Sequence, residues 1–147
     1  MTIHYENLRV SNESLFGELK DAFEEVLESG RYILGNNVLE FENEFSSYLE
    51  QKHCVGVASG LDALMLSLKV TNLCPGDEVL VPSNTYIATI LSIFNADLIP
   101  VLIEPDIQTY NIDPSRIEEK ITKKTKAIIV VHLYGKSCEM TSILSLV

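Results

Sequence analysis

The sequence predicts an α/β domain with a mostly parallel sheet flanked by helices. Two observations carry this reading. Short apolar runs at 79–81, 100–103 and 127–133 alternate with segments of helical periodicity, the pattern of strand–helix–strand units. The last run, Ala127 to Leu133, is rich in β-branched residues and shows no polar alternation, as expected of a strand covered on both faces.

Each element has its own warrant. Leu15, Leu19, Phe23, Val26 and Leu27 share one helical stripe, which predicts a helix over 14–29, and Gly30 ends it. Val38, Phe41, Phe45, Tyr48 and Leu49 form a second stripe, with Glu40, Glu42, Glu44 and Glu50 mostly on the wet side. An apolar run from Cys54 to Ala58 ends in Ser59-Gly60. Leu61, Leu64, Met65 and Leu68 then fall at i, i+3, i+4 and i+7 and predict a third helix. Pro75-Gly76-Asp77 reads as a turn, 79–81 as a strand and 85–94 as a helix. Pro100 opens the next strand, since proline is tolerated at a strand's first residue. Asp113-Pro114 supplies a cap and a first-turn proline, so a helix is expected to about Ile121. A further helix is expected from Cys138 onward.

Bulk properties narrow the function classes. The 147 residues carry a formal charge of −10, with 21 acidic and 11 basic side chains, which disfavours polyanionic partners such as nucleic acid. Lys120, Lys123, Lys124 and Lys126 are interrupted by Thr and Ile and read as a solvated turn. Cys54, Cys74 and Cys138 are far apart and form no CxxC pair, so neither a disulfide framework nor a zinc site is expected, and reduced cytoplasmic thiols fit. The start carries no signal-peptide pattern, and the uncharged stretch 79–96 is broken by Pro82, Ser83, Asn84 and Asn95, so no membrane segment is expected.

Three places have the residues for chemistry. At Ser59-Gly60-Leu61-Asp62, Gly60 permits close backbone approach, and free amides at the following helix start suit a phosphate. Taken alone, the same residues fit a tight connection in which Asp62 complements the helix dipole. Pro82-Ser83-Asn84-Thr85-Tyr86 follows the carboxyl end of a strand, where ligands bind in open α/β sheets. Tyr86 has the ring to stack on a planar ligand, or to pack between helix and sheet. His132-Leu133-Tyr134-Gly135 also ends a strand, and its histidine suits either catalysis or a structural hydrogen bond. No GxGxxG, GxxxxGK[ST] or GxSxG sequence is present.

Together the segments say more. The ordered set is Gly35, Phe41-Glu42, Lys52 through Leu64, Pro75-Gly76-Asp77-Glu78-Val79, Pro82 through Thr89, Thr109 through Pro114, and Thr125-Lys126-Ala127-Ile128 leading to Val131-His132-Leu133-Tyr134-Gly135. It resembles the DegT/DnrJ/EryC1/StrS aminotransferases, over 29–140. Tyr32 through Gly35, Gly60-Leu61-Asp62, Ser83 through Leu91 and Glu104-Pro105-Asp106 are most similar to the branch that aminates C3 of dTDP-3-keto-6-deoxyhexoses.

The resemblance implies the aspartate-aminotransferase-like fold (fold type I), with residues 1–147 as the amino-terminal part of its large domain. It implies pyridoxal 5'-phosphate as cofactor, a nucleotide-linked keto-deoxysugar as substrate, glutamate as amino donor, and a cytoplasmic homodimer with sites built from both subunits. It assigns Ser59, Gly60, Leu61 and Asp62 to the cofactor phosphate and Tyr86 to the pyridine ring. The family more often has Thr where this chain has Leu61, so a hydroxyl contact is lost while the amide contacts remain. His132 lies in a family motif without an assigned role. The resemblance also implies that this stretch holds no catalytic residue. The aspartate for the pyridine nitrogen and the Schiff-base lysine come later in the family, and the lysines at 20, 52, 69, 120, 123, 124, 126 and 136 do not match it. The chain alone is therefore expected to be inactive. Its alternative role is that of a non-catalytic partner for a full-length paralogue.

Overall fold

The computed structural model describes residues 6–146, which fall into two units divided between Gly56 and Val57. The first unit is helical. α1 (Leu8–Asn12) is capped by Asn7, whose Oδ1 accepts the Val10 amide at 3.4 Å. A 3-10 turn over Glu13–Leu15 leads into α2 (Phe16–Ser29), so the helix expected from Ser14 starts with a tighter turn. Gly30 ends α2 with φ of 61°, a left-handed value that glycine adopts without steric cost, and donates to the Leu27 carbonyl. α3 (Asn36–Tyr48) carries the second stripe. Phe41 and Phe45, one helical turn apart, stack with ring centroids 5.5 Å apart. Among the described residues, none in these three helices is buried.

The second unit holds the sheet. Residues 51–58 form no strand, so the apolar run before Ser59 is a connection without regular structure. α4 (Gly60–Lys69) precedes β1 (Glu78–Pro82), which α5 (Ile87–Asn95) joins to β2 (Ile99–Ile103). β3 (Thr125–Ile128) completes a three-stranded parallel sheet of order β2-β1-β3. Leu80 sits opposite Val101 on one side and Ile128 on the other. Of the expected strand 127–133 only the start is paired. Beyond Ile128 one ladder-type bond remains, from the Ile129 amide to the Leu80 carbonyl at 2.8 Å. α6 (Met140–Leu144) comes last.

The core lies on both faces of β1, whose Val79, Leu80 and Val81 are fully buried. On one face Val79, Val81 and Leu98 pack with Leu68 of α4 and Ile93 of α5. On the other, Leu80 and Ile103 pack with Ile112, Ile117, Cys138 and Ile143. The cover thins over β2, where Leu102 is 48% exposed. Burial on both faces, expected for the 127–133 run, is found instead in the central strand β1, while β3 at the edge is only half-buried.

The helix expected over 114–121 is two 3-10 turns, Pro114–Arg116 and Glu118–Lys120. Its cap is as read: Asp113 accepts from the Ser115 amide (2.9 Å) and hydroxyl (2.7 Å), and that hydroxyl above all holds the carboxyl below its usual range. A segment this short gains little from α-helix propagation, and tight turns keep Ile117 fully buried. No helix among the described residues is long and apolar enough to cross a membrane.

Candidate functional site

The parallel arrangement brings the carboxyl ends of all three strands to one edge, where the connecting loops collect. At the carboxyl end of β1 the chain turns through Ser83, Asn84 and Thr85 and enters α5 at Tyr86, the residue that caps it. The amino ends of α4 and α5 share one cleft of about 750 Å³. Ser59, Gly60 and Leu61 line it from α4; Tyr86, Ile87 and Ala88 line it from α5. The structure therefore brings together two of the three places singled out in the sequence, although residues 63–81 separate them in the chain.

Ser59 is the N-cap of α4 in the extended conformation, and its Oγ accepts the Asp62 amide at 3.2 Å. The same hydroxyl donates to Asp62 Oδ2 at 2.7 Å. The single hydroxyl proton is committed to the carboxylate, so in this geometry the Ser59 hydroxyl offers no donor to a ligand. Ala63 donates to the Ser59 carbonyl. Among the described residues, the Gly60 and Leu61 amides have no acceptor. A side chain at Gly60 would meet nothing within 4 Å, so the backbone there is open to close approach. Two unpaired N–H groups at the positive end of a ten-residue helix form a donor set for a phosphate. Leu61 supplies an amide and an apolar side chain, so no hydroxyl adds to them.

Tyr86 is 77% exposed, so it is not packed between helix and sheet. Its ring is free to meet a planar group entering the cleft. The rest of the lining is Ala63 and Leu64 from α4 and Thr89 and Leu91 from α5, apolar except for Thr89. These positions were not read from the sequence as site residues. Their signal was available, because 60, 63 and 64 on one helix and 87, 88 and 91 on the other repeat at i, i+3 and i+4 spacing.

His132 lies elsewhere, at the carboxyl side of β3. Its Nδ1 accepts the Cys138 amide at 3.1 Å, which fixes the ring. The Cys138 thiol donates to the Val131 carbonyl at 3.2 Å, and burial pushes it up in pKa. The histidine thus has a structural bond of its own. Among the described residues, no three His, Cys, Asp or Glu side chains converge as a metal site.

Residues 14–147 match the DegT/DnrJ/EryC1/StrS aminotransferase family. The chain belongs to that family. It is 57% identical over 141 residues to dTDP-3-amino-3,6-dideoxy-alpha-D-galactopyranose transaminase of Aneurinibacillus thermoaerophilus, covering 96% of this chain and 39% of that protein. Its fold superposes on S. venezuelae DesV, solved in complex with a ketimine intermediate, with a TM-score of 0.91 at 42% identity, covering 98% of this chain and 39% of that one. It also superposes on ntda from Bacillus subtilis, solved with bound cofactor PMP, with a TM-score of 0.83 at 35% identity, covering 96% and 31%. The chain thus spans between about a third and two fifths of the length of these relatives. The parallel sheet with flanking helices is part of the fold type I architecture of these pyridoxal-phosphate enzymes.

Proposed function

We propose that residues 1–147 are the amino-terminal part of the large domain of a pyridoxal-phosphate-dependent sugar aminotransferase. Its substrate is a nucleotide-linked keto-deoxysugar of the dTDP-3-keto-6-deoxyhexose class, and glutamate is the donor. The observation that carries this reading is the shared cleft, with two unpaired amides at one helix start and an exposed tyrosine at the other. The likeness to the dTDP-sugar transaminase of A. thermoaerophilus supports the substrate class. The enzyme acts in the cytoplasm as a homodimer.

The residues present fit the cofactor. The Gly60 and Leu61 amides would hold its phosphate, with the α4 dipole behind them. Ser59 and Asp62 secure each other and hold the helix start rigid while those amides point outward. Tyr86 would lie against the ring, and Ala63, Leu64 and Leu91 would exclude water from its edges. When bound, pyridoxal phosphate supplies the electron sink that lets an amino group move between carbon skeletons. This stretch binds and orients, and on its own it does not transaminate.

Titrating pyridoxamine 5'-phosphate into the chain and following amide and ring resonances by NMR tests the reading. Shifts should concentrate at Gly60, Leu61 and Tyr86. Tyr86→Ala should weaken binding about fivefold, on the order of 1 kcal/mol of lost stacking. Equal affinity in variant and parent would remove the stacking role, and shifts that avoid Gly60 and Leu61 would remove the phosphate site.

A further inference from the structure

We propose that Asn84 is a positioning residue that sets the Tyr86 ring by tying its turn to the carbonyl of Tyr110. The inference rests on the assignment of Tyr86 to the cofactor ring.

The Tyr86 hydroxyl and ring make no hydrogen bond among the described residues, so the backbone of the preceding turn decides where the ring stands. That turn is anchored at its start, where the Ser83 amide donates to the Ile103 carbonyl at 2.8 Å. Further along it is loose: the Thr85 amide reaches the Pro82 carbonyl only at 3.4 Å. The Thr85 and Thr89 hydroxyls share a bond of 2.9 Å, but this links the turn only to its own helix. Asn84 makes the side-chain bond from this turn to another loop, with Nδ2 donating to the Tyr110 carbonyl at 2.9 Å.

The acceptor is held in place at a cost. Tyr110 has φ of 60°, a left-handed conformation that is strained for a non-glycine residue. Residues 105–112 hold it there. Asp106 Oδ1 accepts the Gln108 and Thr109 amides at 2.9 and 2.8 Å, the Tyr110 amide donates to the Asp106 carbonyl at 2.8 Å, and Pro105 and Ile112 form an antiparallel bridge. The next residue, Asn111, is fastened to the loop after β3 through the Leu133 amide and the Lys136 and Ser137 carbonyls. The Tyr110 carbonyl is therefore a fixed point, and Asn84 transfers that fixity to the residue two places before the ring.

The test is a double-mutant cycle on the chain with pyridoxamine 5'-phosphate as probe, using Asn84→Ala, Tyr86→Ala and the double variant. Affinity, the induced circular dichroism of the bound probe and the melting temperature are measured for each. Asn84→Ala should weaken binding about threefold, the size of one exposed hydrogen bond, and reduce the induced signal, with a melting temperature close to the parent's. In the double variant the affinity should match Tyr86→Ala alone, since the tie acts through the ring. Additive losses, or an unchanged dichroism in Asn84→Ala, would overturn the proposal while leaving the stacking role standing. An unaffected Tyr86→Ala, or no saturable binding at millimolar probe, would overturn both.

Discussion

Replacing Leu80 by alanine is expected to destabilise the second unit by about 3–5 kcal/mol, the range for a buried leucine whose site does not collapse. Leu80 is fully buried in the middle of the central strand. It packs with Ile103 of the neighbouring strand and with Ile112, Ile117, Cys138 and Ile143 above the sheet. Both adjoining strands hold its backbone, so the surrounding residues have little freedom to close over the missing atoms. Small domains are stable by only about 5–15 kcal/mol, so this change consumes a large share of the whole. Urea unfolding followed by far-UV circular dichroism measures it as a lower midpoint at unchanged slope. Val70→Ala is the control, because Val70 is 82% exposed and its loss should stay within about 0.5 kcal/mol. Equal midpoints for the two variants would show that Leu80 is not at the centre of the core.

The second large effect is expected at Asn111, a polar side chain only 3% exposed. Its Oδ1 accepts the Leu133 amide at 3.1 Å, and its Nδ2 donates to the carbonyls of Lys136 and Ser137 at 3.0 and 3.1 Å. One side chain thus closes the loop in which Tyr134 and Gly135 take φ of 53° and 81°. Asn111→Ala strands three backbone groups and should cost about 2–4 kcal/mol. Asn111→Asp should cost more, because a carboxylate oxygen would face two carbonyls where an amide now donates. Hydrogen exchange by NMR separates the local effect from the global one. The Leu133 amide should lose protection in Asn111→Ala well before the amides of β1 do. If both lose it together, the side chain does not act on the loop in particular.

Much of this was legible in the sequence because it rests on local rules. Gly30 ends α2, Asp113 caps the 3-10 turn at Pro114, and the periodicity of Leu61, Leu64 and Leu68 places α4. The strand run 79–81 falls within β1, and the parallel arrangement agrees with the alternation of strands and helices. What escaped depends on distant partners. β3 was read too long because an apolar extended segment looks the same whether or not a neighbour pairs with it. The bonds of Asn84 and Asn111 reach residues 22 to 26 positions away, and no local pattern announces them. The stripe on α2 was read correctly as a face, yet Leu19 and Phe23 stay exposed, since periodicity tells which side is apolar and not what lies against it. At the candidate site, the helix start and the tyrosine were each visible alone. Their meeting in one cleft required the packing of α4 on α5.

The strand order β2-β1-β3 also sets a sequence of events during synthesis. β1 and β2 are joined by one short helix, so their pairing can close soon after Ile103 is made. β3 arrives only after the connection over 104–124, and until then the opposite edge of β1 has no neighbour. The middle strand is thus the oldest, and for a time it is an edge open to strand addition by other chains. Nascent chains halted with residue 110 outside the ribosome should be cut by protease at this edge. Chains halted with residue 140 outside should resist, and equal sensitivity at the two lengths would mean that the sheet assembles all at once.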